Sequence, residues 1–151
     1  MQTLWQSAHP PLFLSANDVH VFWANLDLAE PLLKSARAML TADELQRGDN
    51  YFFEHDRRRF LIGRMLLRLL LGHYADVPPP SIRFRYNAHG KPALDHPSVD
   101  LRFNLSNTAD LGLFAFCRSA EIGADIENIR PEFATAEIFQ PRRGHCGKQL
   151  P

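Results

Sequence analysis

Apolar positions along this 151-residue chain change period several times, and the changes mark its elements. Residues 19–25 (VHVFWAN) alternate and are rich in β-formers, the mark of a strand. Residues 27–38 read as a short helix or turn broken at Pro31. Thr41-Ala42-Asp43-Glu44 has capping-box spacing, with Thr41 as N-cap and Glu44 reaching back, and predicts a helix over 42–52. Over 56–74, Phe60, Leu61, Met65, Leu66, Leu67, Leu69, Leu70 and Leu71 cover most of a helical circumference. A helix of that kind belongs at the centre of a core. Gly72 and Pro78-Pro79-Pro80 end it.

The period then shortens. Residues 82–86 (IRFRY) alternate as a strand, 87–90 form a turn, and Lys91-Pro92 leaves it. Residues 101–105 predict another strand that runs into a polar turn at Ser106-Asn107-Thr108. Residues 111–117 read as a buried strand, 118–121 as a turn, and 122–127 as a strand pairing back in a hairpin. Residues 1–18, with Pro10-Pro11, are an irregular lead-in. Residues 132–139 begin like a helix, and 140–151 have no periodicity and an unlike composition. That last stretch reads as a disordered tail or as a change of reading frame. A helical block followed by a strand meander gives an α+β class, with the long helix packed on an antiparallel sheet.

Composition narrows the classes of function. The chain is long enough for one domain with a real core. Its 45% hydrophobic and 23% charged content is that of a globular protein. A formal net charge of zero gives no case for a nucleic-acid or membrane partner. Arg64, Arg68 and glycines interrupt the apolar stretches, so no membrane-spanning helix is expected. The two cysteines, Cys117 and Cys146, form neither a disulfide framework nor a zinc spacing. With no signal-peptide pattern, the expected setting is cytoplasmic.

Three groups of residues can carry chemistry. Asp125 and Glu127 stand two apart on the last predicted strand and so share a face, while Ile126 faces the core. Two carboxylates on a rigid strand suit a hard divalent ion such as Mg²⁺. On the outer face of an edge strand the same pair is two solvated acids. Arg57-Arg58-Arg59 lies at the start of the long helix, where free N–H groups already favour anions. On a helical wheel Arg57, Arg64 and Arg68 form one stripe, expected to be a solvated face. Arg59 lies nearly opposite, as a phosphate contact or as a surface partner of Glu54 or Asp56. Gly90-Lys91-Pro92 aims a lysine from a stiff turn, or simply solvates it. No pair among the seven histidines has metal-ligand spacing, and Ser106 lacks a nucleophile elbow.

Taken in order, these pieces resemble the Sfp-like 4′-phosphopantetheinyl transferases. The matching strings are Leu40-Thr41-Ala42-Asp43-Glu44, Arg57 through Arg64, Gly90-Lys91-Pro92, Phe103-Asn104-Leu105-Ser106 and Ile122-Gly123-Ala124-Asp125-Ile126-Glu127, over roughly residues 19–130. The resemblance implies transfer of the phosphopantetheine arm of coenzyme A to a serine of an acyl or peptidyl carrier protein. It implies Asp125 and Glu127 as Mg²⁺ ligands, and Arg59, with Arg47 before it, at the 3′-phosphate of coenzyme A. Lys91, Ser106 and Asn107 would contact coenzyme A near its phosphates, and Pro92 would shape that turn. The ion and cations would position the pyrophosphate for a hydroxyl supplied by the partner.

The chain departs from that pattern twice. Asn107 stands where the family has His, and an amide binds phosphate but carries no titratable proton. The family's Trp-x-x-Lys-Glu-Ala segment has no match after Glu127, which leaves the catalytic residue unassigned. The resemblance therefore implies a C-terminally shortened member. Its expected organisation is a first transferase-like subdomain over 19–121 and an incomplete, pseudo-symmetric second one over 122–139. Such a chain would expose sheet edge and apolar face, which a second copy could cover. A non-catalytic coenzyme A or carrier-protein binding module is the alternative. A nucleic-acid binder using Arg57 to Arg68 is disfavoured by zero net charge and by the lack of an aromatic stacking platform.

Overall fold

A computed structural model describes residues 13–96 and 98–129. Most of the expected lead-in, the helix start at 132–139 and the tail at 140–151 lie outside the described residues. The described chain is α+β. Strand β1 (Val19–Asn25) leads into helices α1 (Glu30–Met39), α2 (Ala42–Asp49) and α3 (Glu54–Ala75). A 3-10 turn (Pro79–Ser81) and strands β2 (Phe84–Tyr86), β3 (Pro92–Leu94), β4 (Arg102–Thr108) and β5 (Leu111–Cys117) follow. All strand pairs are antiparallel, in a three-stranded sheet ordered β1-β5-β4 and a separate β2-β3 hairpin.

Local chemistry accounts for the helix ends. Pro31 does not break a helix; it opens α1 in the first turn, where its missing N–H has no intrahelical partner to lose. The capping box forms as expected: Thr41 Oγ1 accepts from the Glu44 amide at 3.4 Å, and the Thr41 amide donates to Glu44 Oε2 at 3.1 Å. Helix α2 stops at Asp49, before the expected 52, where the Asn50 amide turns back to the Gln46 and Gly48 carbonyls. Helix α3 runs past Gly72 to Ala75 and ends on Asp76 in the left-handed region at φ 53°. Gly72 matters instead for close approach, since a Cβ there would lie 2.7 Å from the Val77 carbonyl oxygen.

The sheet register separates two faces. Phe22, Phe114 and Leu105 align across one rung, and His20, Phe116 and Phe103 across another. The phenylalanines and Leu105 of these inner positions pack with Leu61, Ile62, Met65 and Leu71 of α3 in one core, and His20 lies against Tyr74. On the opposite face of β1, Val19, Val21 and Trp23 are exposed. The end of the inner face is lined with small residues, Ala24 and Gly112, opposite Asn107. Leu26 fills that space, with its Cδ2 3.0 Å from where a Gly112 Cβ would be.

Three expectations about the strands are corrected. Strand β4 does not turn after Leu105 but continues through Ser106, Asn107 and Thr108, because each of these pairs with β5. The turn falls at Ala109-Asp110 instead. Strand β3 was not expected, and three residues are too few to show a period. Residues 122–127 are not a laddered strand. They run beside β4 on side-chain hydrogen bonds, the Ala124 amide to Asn104 Oδ1 at 3.0 Å and the Ile126 amide to Ser106 Oγ at 3.2 Å.

Candidate functional site

A cleft of about 500 Å³ opens between the start of α3, the turn before β3 and the end of β4. Among the described residues, Arg59, Arg64 and Lys91 line it with Asp56 as its one acid, so the lining is cationic, and His89 lies beside them. Tyr51, Phe60 and Leu26 supply an apolar wall.

Of the three consecutive arginines, one reaches the cleft. Arg57 pairs with Glu54 at 3.1 Å. Arg58 is tied to Glu30 Oε2 at 2.9 Å and to the Leu28 carbonyl at 3.0 Å. Arg59 lines the cleft, held loosely by Asp56 at 3.8 Å. Its Nε is buried with no hydrogen-bond partner among the described residues. A guanidinium that keeps donors unspent beside a cavity is suited to an anion.

The expected stripe of Arg57, Arg64 and Arg68 is not a solvated face. Arg64 and Arg68 are 5% and 1% exposed, and both converge on Glu44, itself 3% exposed. Arg64 Nε donates to Glu44 Oε1 at 3.2 Å and Arg68 Nε to Oε2 at 2.9 Å. Arg68 Nη1 also donates to the Pro79 and Ile82 carbonyls at 2.9 and 3.0 Å. Burial alone would raise the Glu44 pKa; the bonds from Arg68 and the Thr41 amide and the charges of Arg64 and Arg68 outweigh it and hold it low. One carboxylate between two guanidiniums leaves a buried positive charge beside the cleft.

Lys91 is placed by its turn. Gly90 takes φ 76°, and Asn87 Oδ1 accepts from the His89 and Lys91 amides, both at 2.9 Å. Lys91 is half-buried, lines the cleft beside Pro92, and donates Nζ to the Ile122 carbonyl at 3.0 Å. Arg47 does not line this cleft; it lies over the Tyr86 ring at 5.2 Å.

Strand alternation divides the polar residues of β4. Asn107 shares the helix-facing side with Phe103 and Leu105 and lines the cleft. Ser106 faces the other way and donates to Asp125 Oδ1 at 2.6 Å. Asp125 and Glu127 are both exposed, alternating with the half-buried Ala124 and Ile126. Among the described residues no three His, Cys, Asp or Glu side chains gather as a metal site. Two exposed carboxylates still match the donor chemistry of a hard ion that takes its other ligands from water and phosphate.

Sequence reasoning missed Tyr51, Phe60 and His89 in the cleft, and missed Glu44 as the partner of Arg64 and Arg68. The Thr41-to-Glu44 spacing revealed the cap but not this second role. Among the described residues no helix is long and apolar enough to cross a membrane.

Residues 29–118 match the family described as 4′-phosphopantetheinyl transferase, N-terminal. The 4′-phosphopantetheinyl transferase HetI of Nostoc sp. is 36% identical over 157 residues, covering 100% of this chain and 66% of the relative. A phosphopantetheinyl transferase of Thraustochytrium sp. is 31% identical over 119 residues, 78% of this chain and 40% of the relative. The 4′-phosphopantetheinyl transferase of Bacillus subtilis is 31% identical over 97 residues, 62% of this chain and 41% of the relative. The matched part of the chain thus spans between 40% and 66% of the length of these relatives.

Proposed function

The chain belongs to the 4′-phosphopantetheinyl transferase family, and we propose that its cationic cleft holds coenzyme A for transfer of the phosphopantetheine arm to a carrier protein. The observation that carries the reading is the convergence of Arg59, Lys91 and Asn107, from three separated segments, on one cleft of about 500 Å³. Arg59 would take the 3′-phosphate, and Arg47, which lies over Tyr86 outside the cleft, would not share it. Lys91 and Asn107 would contact coenzyme A near its phosphates, with Pro92 shaping the turn, while Ser106, on the other face of β4, would act through Asp125.

Asp125 and Glu127 would hold Mg²⁺, which when bound offsets charge on the pyrophosphate. Ser106 orients the Asp125 carboxylate through its hydrogen bond. In the transfer, a serine oxygen of an acyl or peptidyl carrier protein bonds to the phosphorus next to pantetheine. The bond from that phosphorus to the departing adenosine 3′,5′-bisphosphate breaks, and the serine proton is released. The cations of this chain orient the phosphates; Asn107 can donate a hydrogen bond to them but cannot take the proton.

That property of Asn107 favours a second reading, a module that binds coenzyme A or the carrier protein without transfer. The cytoplasm is the setting that suits the free, buried Cys117. Self-association over the exposed Val19, Val21 and Trp23 belongs to the same picture, and sedimentation at rising protein concentration tests it.

Calorimetric titration with coenzyme A, with and without Mg²⁺, tests the cleft. The intact mass of an apo carrier protein after incubation tests transfer. Binding with a mass gain supports the first reading and binding without it the second; absence of coenzyme A binding overturns the first, and absence of apo carrier protein binding as well overturns the second.

A further inference from the structure

We propose that Tyr86 is a positioning residue that sets Lys91 over the cleft by anchoring the β2-β3 hairpin to the buried Glu44–Arg64–Arg68 group. Its importance for coenzyme A rests on the cleft reading above. Tyr86 ends β2 in register with Pro92, the residue after Lys91. Its hydroxyl accepts from Arg64 Nη2 at 2.8 Å. Arg64 is a fixed point, since Glu44 holds it at 3.1 Å and the 3-10 turn holds Arg68 behind Glu44.

A two-stranded hairpin with three-residue strands is marginal by itself in water. The Tyr86 side chain is also too exposed, at 45%, for burial to fix it. Contacts from α3 help hold the hairpin: the Arg64–Tyr86 bond, and Arg64 and Arg68 over the Phe84 ring at 4.4 and 5.4 Å. Arg47 closes over the outer side of Tyr86 at 5.2 Å. The Asn87 turn then carries this placement to Lys91, whose carbonyl accepts from the Asn87 amide at 3.1 Å.

Tyr86→Phe keeps the ring under Arg47 and removes only the hydroxyl. NMR order parameters of Asn87, Gly90 and Lys91 in the ligand-free chain should fall, while those of α3 hold. Affinity for coenzyme A should drop roughly tenfold, the worth of one hydrogen bond to a charged donor. The double variant Tyr86→Phe/Lys91→Ala should bind no more weakly than Lys91→Ala alone, because both act through one side chain. Unchanged turn dynamics, or additive losses in the double variant, would overturn the role. A wild-type chain that binds no coenzyme A refutes the cleft reading instead, and the turn dynamics of the ligand-free chain still decide whether Tyr86 anchors Lys91.

Discussion

The Ser106 hydroxyl donates to Asp125 Oδ1 at 2.6 Å and accepts from the Ile126 amide at 3.2 Å. One side chain thus ties the edge strand β4 to the segment carrying both exposed carboxylates. Ser106→Ala should free this segment and cost about 1 kcal/mol, since the bonds lie at the surface. Urea unfolding measures the loss. Amide exchange should rise at Ile126 and not at Phe114; equal rates in variant and wild type would refute the tie.

Arg59 is the arginine of its triplet that lines the cleft, and its Nε is buried with no hydrogen-bond partner among the described residues. If it takes the 3′-phosphate, the wild type binds coenzyme A more tightly than 3′-dephospho-coenzyme A, by about tenfold for a charge-assisted bond. Arg59→Ala should bind the two equally. A preference that survives the substitution removes Arg59 from that role.

Glu44 serves two buried guanidiniums and a helix cap at once. Removing one partner of a buried ion group leaves uncompensated charge and costs about 3–5 kcal/mol. Glu44→Gln should lose stability on that scale in chemical denaturation, far more than exposed Glu54→Gln. A loss below about 1 kcal/mol would show that water reaches Arg64 and Arg68.

The pH profile follows from two groups. Glu44 is held below its ordinary value of 4.5, so it favours the folded state above that pH, and the contribution is lost as acid protonates the folded carboxylate. Burial raises Tyr74 above its ordinary 10.0, so the folded state keeps the neutral hydroxyl that lies 2.6 Å from His20 Nδ1. Its contribution is complete below pH 10.0 and is lost as pH climbs from there toward the folded value. Stability measured across pH should fall on both flanks. Glu44→Gln should flatten the acid flank and leave the alkaline one, and Tyr74→Phe the reverse.

Strands β1 and β5 were legible to the residue because each alternates or runs apolar over seven positions. The Thr41 cap was legible because its four residues carry the whole interaction. Strand β4 was read short because Ser106-Asn107-Thr108 looks like a turn until β5 pairs with it. The Arg64–Arg68 stripe was misread because a helical wheel gives direction, not surroundings. Its partner Glu44 lies twenty residues from Arg64 along the chain.

The sequence by itself determined period, caps, class and the candidate cations, since each depends on neighbours within a turn or a strand. Only the tertiary structure decided what those cations do. It buried Arg64 and Arg68 on a shared carboxylate, spent Arg57 and Arg58 on surface acids, and left Arg59 with Lys91 and Asn107 at one cleft. The reason is physical: a charge far from water must find a partner, and which partner is within reach depends on how distant segments pack.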